Sequence, residues 1–324
     1  MTNIQINAIS TGSVDTHSPE IVHMHSSQWR FIMKARRILV TAAAGKTGVH
    51  TVRNLLESGH SVRALVRKED ERSDALRNAG AEIMTGDLLS HDDAIRATDG
   101  MDAAYLCYPV RPGFIQATAY FADAARRAGL HAVVNMSQIS ARENAKSHAA
   151  RDHWIAERVL DWAGVPTVHI RPTFFSEWLV FPWVRDTIVR NSEIALPFGD
   201  GRHAPIAAAD QARFIAAVLA SPDDHVGKTY ELCGPTQMNQ AEIAGLMSGV
   251  LGRKIVYRPA TLDGYREHLS HYDLPDFTIQ HFVEVAIDYQ NGVFEGTDGI
   301  IERVTGTAPQ TVEAFVEANR AVFG

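Results

Sequence analysis

Short apolar runs alternate with amphipathic segments from residue 37 to residue 172. The spacing of the apolar positions predicts helices over 47–58, 73–79, 91–97, 113–128 and 147–163. Short β-rich runs predict strands over 38–40, 61–66, 81–88, 103–109, 131–137 and 165–171. Strands that alternate with helices form a parallel sheet with helices on both faces. The sequence therefore predicts an α/β fold with a doubly wound parallel sheet.

The turn after the first predicted strand is built from small residues. Such residues let backbone N–H groups approach a pyrophosphate, and the N-terminus of the following helix favours its negative charge. Ala42 stands where the usual three-glycine fingerprint has its first glycine, and the remaining pair, Gly45 and Gly48, can equally serve close packing. We predict a Rossmann-type dinucleotide site whose phosphate loop comprises Thr41, Ala43, Ala44, Gly45, Lys46, Thr47 and Gly48.

The end of the second predicted strand indicates which nucleotide binds. Arg67 lies about 20 residues beyond the loop, where an acidic residue would hydrogen-bond the ribose 2′-hydroxyl of NAD. A guanidinium can instead pair with a 2′-phosphate through two hydrogen bonds. Arg67 therefore predicts NADPH as the cofactor, and a solvated arginine at a strand end is the alternative.

Further strand ends extend this predicted site. Ligands of open parallel sheets lie beyond the carboxyl ends of the strands. Asp87 and Leu88 end the third predicted strand, where the carboxylate can reach the adenine amino group or can cap the next helix. Cys107, Tyr108 and Pro109 end the fourth predicted strand, beside the expected positions of the adenine ribose and the pyrophosphate.

The alternation weakens after residue 172, where loops rich in Phe and Trp begin. We expect a disordered N-terminal extension over 1–32 and an NAD(P)-binding domain over 33–173. Residues 174–324 are expected to form a smaller, interleaved substrate-binding lobe, with some elements returning to the sheet. Met33 is the first residue of this expected domain, and a start there would be an alternative beginning of the chain.

Composition narrows the function classes. The 324 residues carry a net charge of −7, which argues against general binding to nucleic acid or to a membrane surface. Only Cys107 and Cys233 occur, far apart in sequence, so a disulfide framework is not indicated and a reducing cytoplasm fits best. No apolar run approaches the length of a membrane span. We expect a monomer or homodimer that acts on a small molecule.

Several motifs, in a fixed order, resemble those of the NmrA-like family of atypical short-chain dehydrogenases/reductases. The resemblance extends over about 35–323 and rests on the loop 41–48, on Leu65-Val66-Arg67, on Gly86-Asp87-Leu88, and on the segments 153–157, 164–167, 170–175, 198–201, 210–212, 230–235 and 304–306. It implies a nicotinamide cofactor. The family mixes quinone and azo-dye reductases, isoflavone-reductase-like enzymes and redox-sensing regulators, so the resemblance leaves the activity open.

The chain departs from typical short-chain dehydrogenases after the fifth strand. It lacks the Tyr-x-x-x-Lys pair that protonates a carbonyl substrate, and no tyrosine occurs between Tyr120 and Tyr230. The resemblance to quinone-reductase-like members places His153 near the nicotinamide, after Ser137 and Gln138 at the end of the fifth strand, and we expect Ser137 and His153 to bind the cofactor. His153 is the candidate catalytic residue, and Glu157, four residues later, can fix its tautomer. An ordinary helix histidine with a carboxylate neighbour is the alternative.

Histidine clusters raise the question of a metal. The pairs His148–Asp152 and His153–Glu157 supply two ligands each, and a later group contains His268, His271, Asp273 and His281. A solvated, histidine-rich helix end explains the later group as well, so no metal is predicted. No flavin motif occurs either.

Aromatic residues follow the sixth strand, where the chain would pass over the nicotinamide. Phe174, Phe175 and Trp178 are predicted to line a substrate pocket together with Gln138, although core packing would explain several of them equally well. Tyr265 and Tyr272 are candidates for the far side of that pocket.

These features favour an NADPH-dependent oxidoreductase that transfers hydride to a quinone-like or other conjugated small molecule. The alternative is a non-catalytic NADP-binding redox sensor that acts through a protein partner. An isoflavone-reductase-like activity is a third possibility, but such relatives carry a lysine near the start of the helix that contains His153. Here the nearest lysine, Lys146, lies several residues too early.

Overall fold

The computed structural model describes residues 35–324. The expected disorder of 1–32 and the alternative start at Met33 lie outside the described residues. In the described part, the strands are β1 (Arg37–Val40), β2 (Ser61–Val66), β3 (Glu82–Thr85), β4 (Ala103–Leu106), β5 (Ala132–Met136), β6 (Thr167–Pro172), β7 (Glu193–Ile194), β8 (Thr229–Leu232) and β9 (Val256–Tyr257).

Helices connect these strands and cover both faces of the sheet. They are α1 (Lys46–Glu57), α2 (Glu71–Asn78), α3 (His91–Thr98), α4 (Phe114–Ala128), α5 (His148–Trp162), α6 (Pro182–Asn191), α7 (Ala208–Ala220), α8 (Gln240–Leu251), α9 (Leu262–Ser270), α10 (Asp276–Gln290), α11 (Ile300–Thr305) and α12 (Val312–Ala318). Short 3₁₀ turns occupy Ser176–Val180 and Arg320–Val322. None of the helices described is long and apolar enough to cross a bilayer.

The central sheet has seven strands in the order β3-β2-β1-β4-β5-β6-β8, and every pairing is parallel. The predicted doubly wound α/β fold is confirmed. The chain winds outward from β1 through β2 to β3, then returns to place β4 on the other side of β1. The gap between the ends of β1 and β4 is therefore the topological switch point, where open α/β sheets bind ligands.

Predicted and observed element bounds differ mostly by one or two residues, and local hydrogen bonds explain the clearest difference. The second helix begins at Glu71 and not at residue 73, because Asp70 and Ser73 form a capping box that fixes the earlier start. The runs 81–88 and 103–109 are longer than β3 and β4, since their last residues leave the sheet to form loops at its carboxyl edge.

Two later elements pack with the sheet. β8 pairs with β6 in parallel, with His169 opposite Thr229, and α7 packs against α1. α11 packs against α7 and β8, whereas α6, α8, α9, α10 and α12 enclose an aromatic core around Phe174, Phe198 and Tyr289. The division of the chain into lobes near residue 173 stays a prediction.

Candidate functional site

The turn between β1 and α1 needs glycine at one position above all. A Cβ atom on Gly48 would lie 2.3 Å from the carbonyl oxygen of Ala42 and 2.8 Å from that of Ala43, so the helix can approach the turn this closely only without a side chain. Ala42, at the place of the missing first glycine, adopts a left-handed conformation with φ of 48°. Gly45 caps α1 without any side-chain hydrogen bond. The first turn of α1 therefore presents backbone donors that an anion can accept.

Thr41 ties the two loops at the switch point together. It is completely buried, and its hydroxyl donates to the Cys107 carbonyl at 3.0 Å and accepts from the Cys107 N–H at 2.8 Å. It therefore joins the loop after β1 to the loop after β4, and it lines neither of the cavities described next. The prediction that Thr41 contacts a ligand is not supported by this placement.

Two cavities of about 400 Å³ each open on either side of the phosphate loop. The first, here called the cationic cavity, lies over the ends of β2 and β3. The second, the aromatic cavity, lies over the ends of β5 and β6 and reaches α10. They share a wall formed by Ala42, Gly45, Cys107, Tyr108 and Pro109.

The cationic cavity gathers four basic side chains, namely Arg67, Lys68, Arg72 and Arg111. The Arg67 guanidinium lies 3.5 Å from the Asp87 carboxylate and stays 59% exposed. Arg111 approaches the same carboxylate at 4.0 Å and stacks over the Tyr108 ring at 4.9 Å. The exposed guanidinium of Arg67 is thus free to meet a phosphate at the mouth of this cavity.

Asp87 takes part in the loop rather than in a helix cap. Its carboxylate accepts the Leu89 N–H at 3.0 Å, while Asp93 accepts the Asp87 N–H at 2.9 Å. Ser90 is the residue that caps α3. Capping by Asp87, one of its two expected roles, is therefore not what the structure shows.

A buried charged cluster lies behind Ser137, which lines the aromatic cavity. The Glu157 side chain is completely buried and forms two hydrogen bonds with Arg171, at 2.9 and 2.6 Å. The Ser137 hydroxyl donates to the same carboxylate at 2.5 Å. The expectation that Glu157 orients His153 is wrong, because both of its oxygens are occupied by Arg171 and Ser137.

Two histidines from distant segments line the aromatic cavity. Burial, with a smaller contribution from His281, lowers the pKa of His153 to about 3. Burial lowers the pKa of His281 to about 4, and its Nδ1 lies 2.8 Å from the Ser147 hydroxyl. The His153 ring packs edge-on against Phe114, 4.3 Å between centroids. Both rings are neutral at pH 7.

Aromatic rings form the remaining wall. Phe174, Phe175, Trp178 and Phe181 line the cavity, and Phe174 packs edge-on against Trp178 with centroids 4.6 Å apart. The Lys46 ammonium lies 5.1 Å from the centre of the Phe181 ring, so the phosphate loop touches this wall directly.

The two tyrosines suggested for the far side do not line the cavity. Tyr265 is buried in the core, and Tyr272 contacts Asp186 on α6. Lys146, the residue weighed for an isoflavone-reductase-like activity, is exposed and also lies away from it.

The histidine clusters separate in three dimensions. His281 faces the aromatic cavity, whereas His268 bonds the Trp183 carbonyl at 2.7 Å. Within residues 35–324, no three His, Cys, Asp or Glu side chains come together as metal ligands would.

Apart from Thr41, every predicted site residue lines one of the two cavities. The phosphate-loop residues, Arg67, Asp87, Leu88 and the end of β4 are joined there by Ser137, Gln138, His153, Phe174, Phe175 and Trp178. The sequence reasoning missed Lys68, Arg72, Arg111 and His281. Lys68 and Arg72 were detectable from their closeness to Arg67, whereas no local signal marks His281, which is 128 residues from His153.

A protein-family model described as the NmrA-like family matches residues 34–315. The chain belongs to the NmrA-like family. An NAD(P)H azoreductase from Xenophilus azovorans is 27% identical over 293 residues, which cover 89% of this chain and 99% of the relative. The predicted resemblance is thus confirmed.

Solved structures share this fold. An NADPH-dependent quinone oxidoreductase from Escherichia coli, complexed with NADPH, superimposes with a TM-score of 0.76 at 21% identity, covering 87% of this chain and 99% of that one. NmrA, a negative transcriptional regulator in complex with NADP, gives a TM-score of 0.69 at 16% identity, covering 86% and 89%. The NmrA-like fold thus occurs both in a reductase and in a regulator.

Proposed function

We propose that this NmrA-like chain is an NADPH-dependent reductase that transfers hydride to a flat, conjugated acceptor such as a quinone. The observation that carries the proposal is that a cationic and an aromatic cavity meet at one phosphate loop. A dinucleotide whose pyrophosphate rests on the start of α1 would extend its phosphorylated ribose toward Arg67 and its nicotinamide toward Ser137 and His153. Relatives named as reductases or as a dehydrogenase support an oxidoreductase of this general class.

The residues of the loop fit such a cofactor. Gly48 lets α1 approach the turn more closely than any side chain would allow, and the N-terminus of α1 has no side-chain cap. The nicotinamide would supply the hydride, and the protein would hold the acceptor against it. The aromatic wall of Phe174 and Trp178 suits a flat apolar ring. No flavin and no metal form part of this proposal.

Proton supply does not require a Tyr-Lys pair in this reaction. Quinones accept hydride readily, and their oxygens can take protons from water. His153 is neutral because burial lowers its pKa to about 3, so it can offer a hydrogen bond but is not a stored proton at pH 7. A reducing compartment such as the cytoplasm fits the free thiols of Cys107 and Cys233. The expected monomer or homodimer stays a prediction.

The direct test follows the absorbance of NADPH or NADH with the purified protein and a panel of acceptors. The panel contains a benzoquinone, a naphthoquinone, a neutral azo dye and an aliphatic ketone as the matched non-conjugated carbonyl. We expect catalytic oxidation that prefers NADPH and proceeds with the conjugated acceptors only. Tight NADPH binding without turnover of any acceptor would contradict the proposal.

A redox sensor is the second candidate, because the Tyr-x-x-x-Lys proton donor is absent and NmrA itself is a regulator with bound NADP. A sensor must distinguish the oxidised from the reduced cofactor without any substrate. Calorimetric titration with NADP⁺ and NADPH measures this directly. A large difference in affinity together with no turnover would favour the sensor over the reductase.

A further inference from the structure

The hydrogen bonds of Ser137 commit both of its donors to the protein. Its N–H donates to the Ile170 carbonyl at 2.7 Å, and its hydroxyl donates to Glu157 Oε1 at 2.5 Å. A serine hydroxyl has one proton and two lone pairs. Since this proton is already donated to Glu157, the Ser137 hydroxyl can only accept a hydrogen bond from a ligand in the aromatic cavity.

The direction of the hydroxyl bond depends on the charge of Glu157. This carboxylate lies in contact with the Arg171 guanidinium through two hydrogen bonds and has a second guanidinium, that of Arg158, at 3.7 Å. An ionised carboxylate can only accept hydrogen bonds. Because Glu157 is completely buried, water cannot take over its bond to Ser137. In this hydrogen bond the Ser137 hydroxyl is therefore the donor and the Glu157 carboxylate the acceptor.

The cluster is anchored by three different elements. Ser137 follows β5, Glu157 lies on α5, and Arg171 lies on β6 next to β5. Buried ion pairs of this kind often add little to stability but fix a geometry. Glu157 is bonded away from His153, so its effect on the cavity passes through Ser137.

We propose that Glu157 is a positioning residue that holds the Ser137 hydroxyl as a hydrogen-bond acceptor, and that the ligand group bound at Ser137 is an N–H or O–H donor. Ser137 therefore binds but does not supply a proton to the reaction. The donor belongs to the cofactor, as the carboxamide N–H of the nicotinamide, or to a hydroxyl of the reduced acceptor. The inference rests on the proposed function only in that a nicotinamide cofactor enters this cavity.

The test measures binding without turnover, so it stands apart from the assay for reductase activity. Dissociation constants are measured for NADP⁺ and for its analogue in which an acetyl group replaces the carboxamide and removes the N–H donor. They are also measured for a hydroquinone and its dimethyl ether in the presence of NADP⁺. We expect the wild-type protein to prefer the donor-bearing member of one pair by roughly three- to tenfold, the range of one net hydrogen bond.

Three variants separate positioning from folding. Ser137→Ala should abolish the preference, and Glu157→Asp, which withdraws the carboxylate but keeps its charge for Arg171, should reduce it. Thr118→Val is the matched control, because its buried hydroxyl bonds only within α4 at 2.9 Å and lines neither cavity. It should keep the full preference. Circular dichroism melting curves verify that each variant folds.

Each outcome supports or contradicts the proposed role of Ser137 and Glu157. Loss of preference in the cofactor pair assigns the donor to the carboxamide, and loss in the hydroquinone pair assigns it to the acceptor. If Ser137→Ala keeps every preference of the wild type, the inference is overturned. If Glu157→Asp folds and keeps the wild-type preference while Ser137→Ala loses it, Ser137 is an acceptor but Glu157 does not position it.

Discussion

The two cavities differ in the interactions that they offer to a ligand. The cationic cavity uses charge near solvent, where Arg67 remains 59% exposed. The aromatic cavity is lined by apolar rings and neutral histidines, and the buried ion pair of Glu157 with Arg171 lies behind Ser137. An exposed charge recognises a phosphate through long, adaptable side chains, whereas a buried apolar wall recognises shape. In the proposed function, the cationic cavity would therefore govern the choice of cofactor, and the aromatic cavity the choice of acceptor.

The largest expected effect comes from the loop that both cavities share. Gly48→Ala would place a Cβ atom 2.3 Å from the Ala42 carbonyl oxygen, so the loop must move. Overpacking of this kind costs about 1–3 kcal/mol, and we expect cofactor binding to weaken by up to roughly 100-fold. Calorimetric titration with the cofactor measures this loss of affinity. Gly245→Ala is the control, since nothing lies within 4 Å of the added atom on α8. Equal cofactor affinity in both variants would contradict the close approach.

Arg67→Ala tests the cationic cavity alone. A hydrogen bond to a charged group contributes about 1.5–3 kcal/mol, so NADPH should bind roughly 10- to 100-fold more weakly while NADH changes little. Arg53→Ala removes an exposed arginine of α1 that lines neither cavity and should affect neither cofactor. Equal losses for NADPH and NADH in the Arg67 variant would refute a contact with the 2′-phosphate.

The free energy of unfolding should fall at acid pH because of the neutral histidines of the aromatic cavity. The pKa of His153 is lowered by burial to about 3, below its value of 6.5 in the unfolded chain. The unfolded state therefore binds more protons between about pH 6.5 and pH 3, and stability falls as the pH drops through this window. From pH 7 to pH 5 this amounts to roughly 2 kcal/mol for one such histidine.

Urea unfolding at pH 7 and pH 5 measures this loss. His153→Gln should lose less stability than the wild type between the two pH values. His131→Gln, at an exposed histidine, should lose as much as the wild type. The prediction is wrong if both variants behave alike.

Trp178→Ala tests the aromatic cavity alone. It removes a ring that lines the cavity and packs on Phe174, so KM for a quinone should rise several-fold as apolar contact is lost, at about 25 cal/mol per Å². The dissociation constant of NADPH should stay near that of the wild type. Trp162→Ala is the matched control, because Trp162 is 76% exposed on α5. A larger change for NADPH than for the quinone would place Trp178 at the cofactor instead.

The alternation of strands and helices predicts the sheet correctly, because its signal is local. The loop 43–48 and the strand end at Arg67 are contiguous stretches whose spacing follows from the fold, and they line the cavities as expected, although their contact with a cofactor stays a prediction. Sequence reasoning failed where partners come from distant segments. Glu157 is four residues from His153 yet bonds Ser137 and Arg171, and His281 reaches the cavity from α10. Such contacts depend on tertiary packing, which helical spacing alone does not determine.

The wall that the two cavities share has a consequence for chemical probes. Ala42, Gly45, Cys107, Tyr108 and Pro109 border both spaces, so one molecule with a phosphorylated ribose at one end and a flat ring at the other could span them. Once one end is held, the other is confined near its own cavity, and the two affinities reinforce each other. A ring alone would suit many aromatic pockets. A molecule that carries both groups would require both cavities on either side of one loop. This arrangement is therefore a target for selective inhibitors.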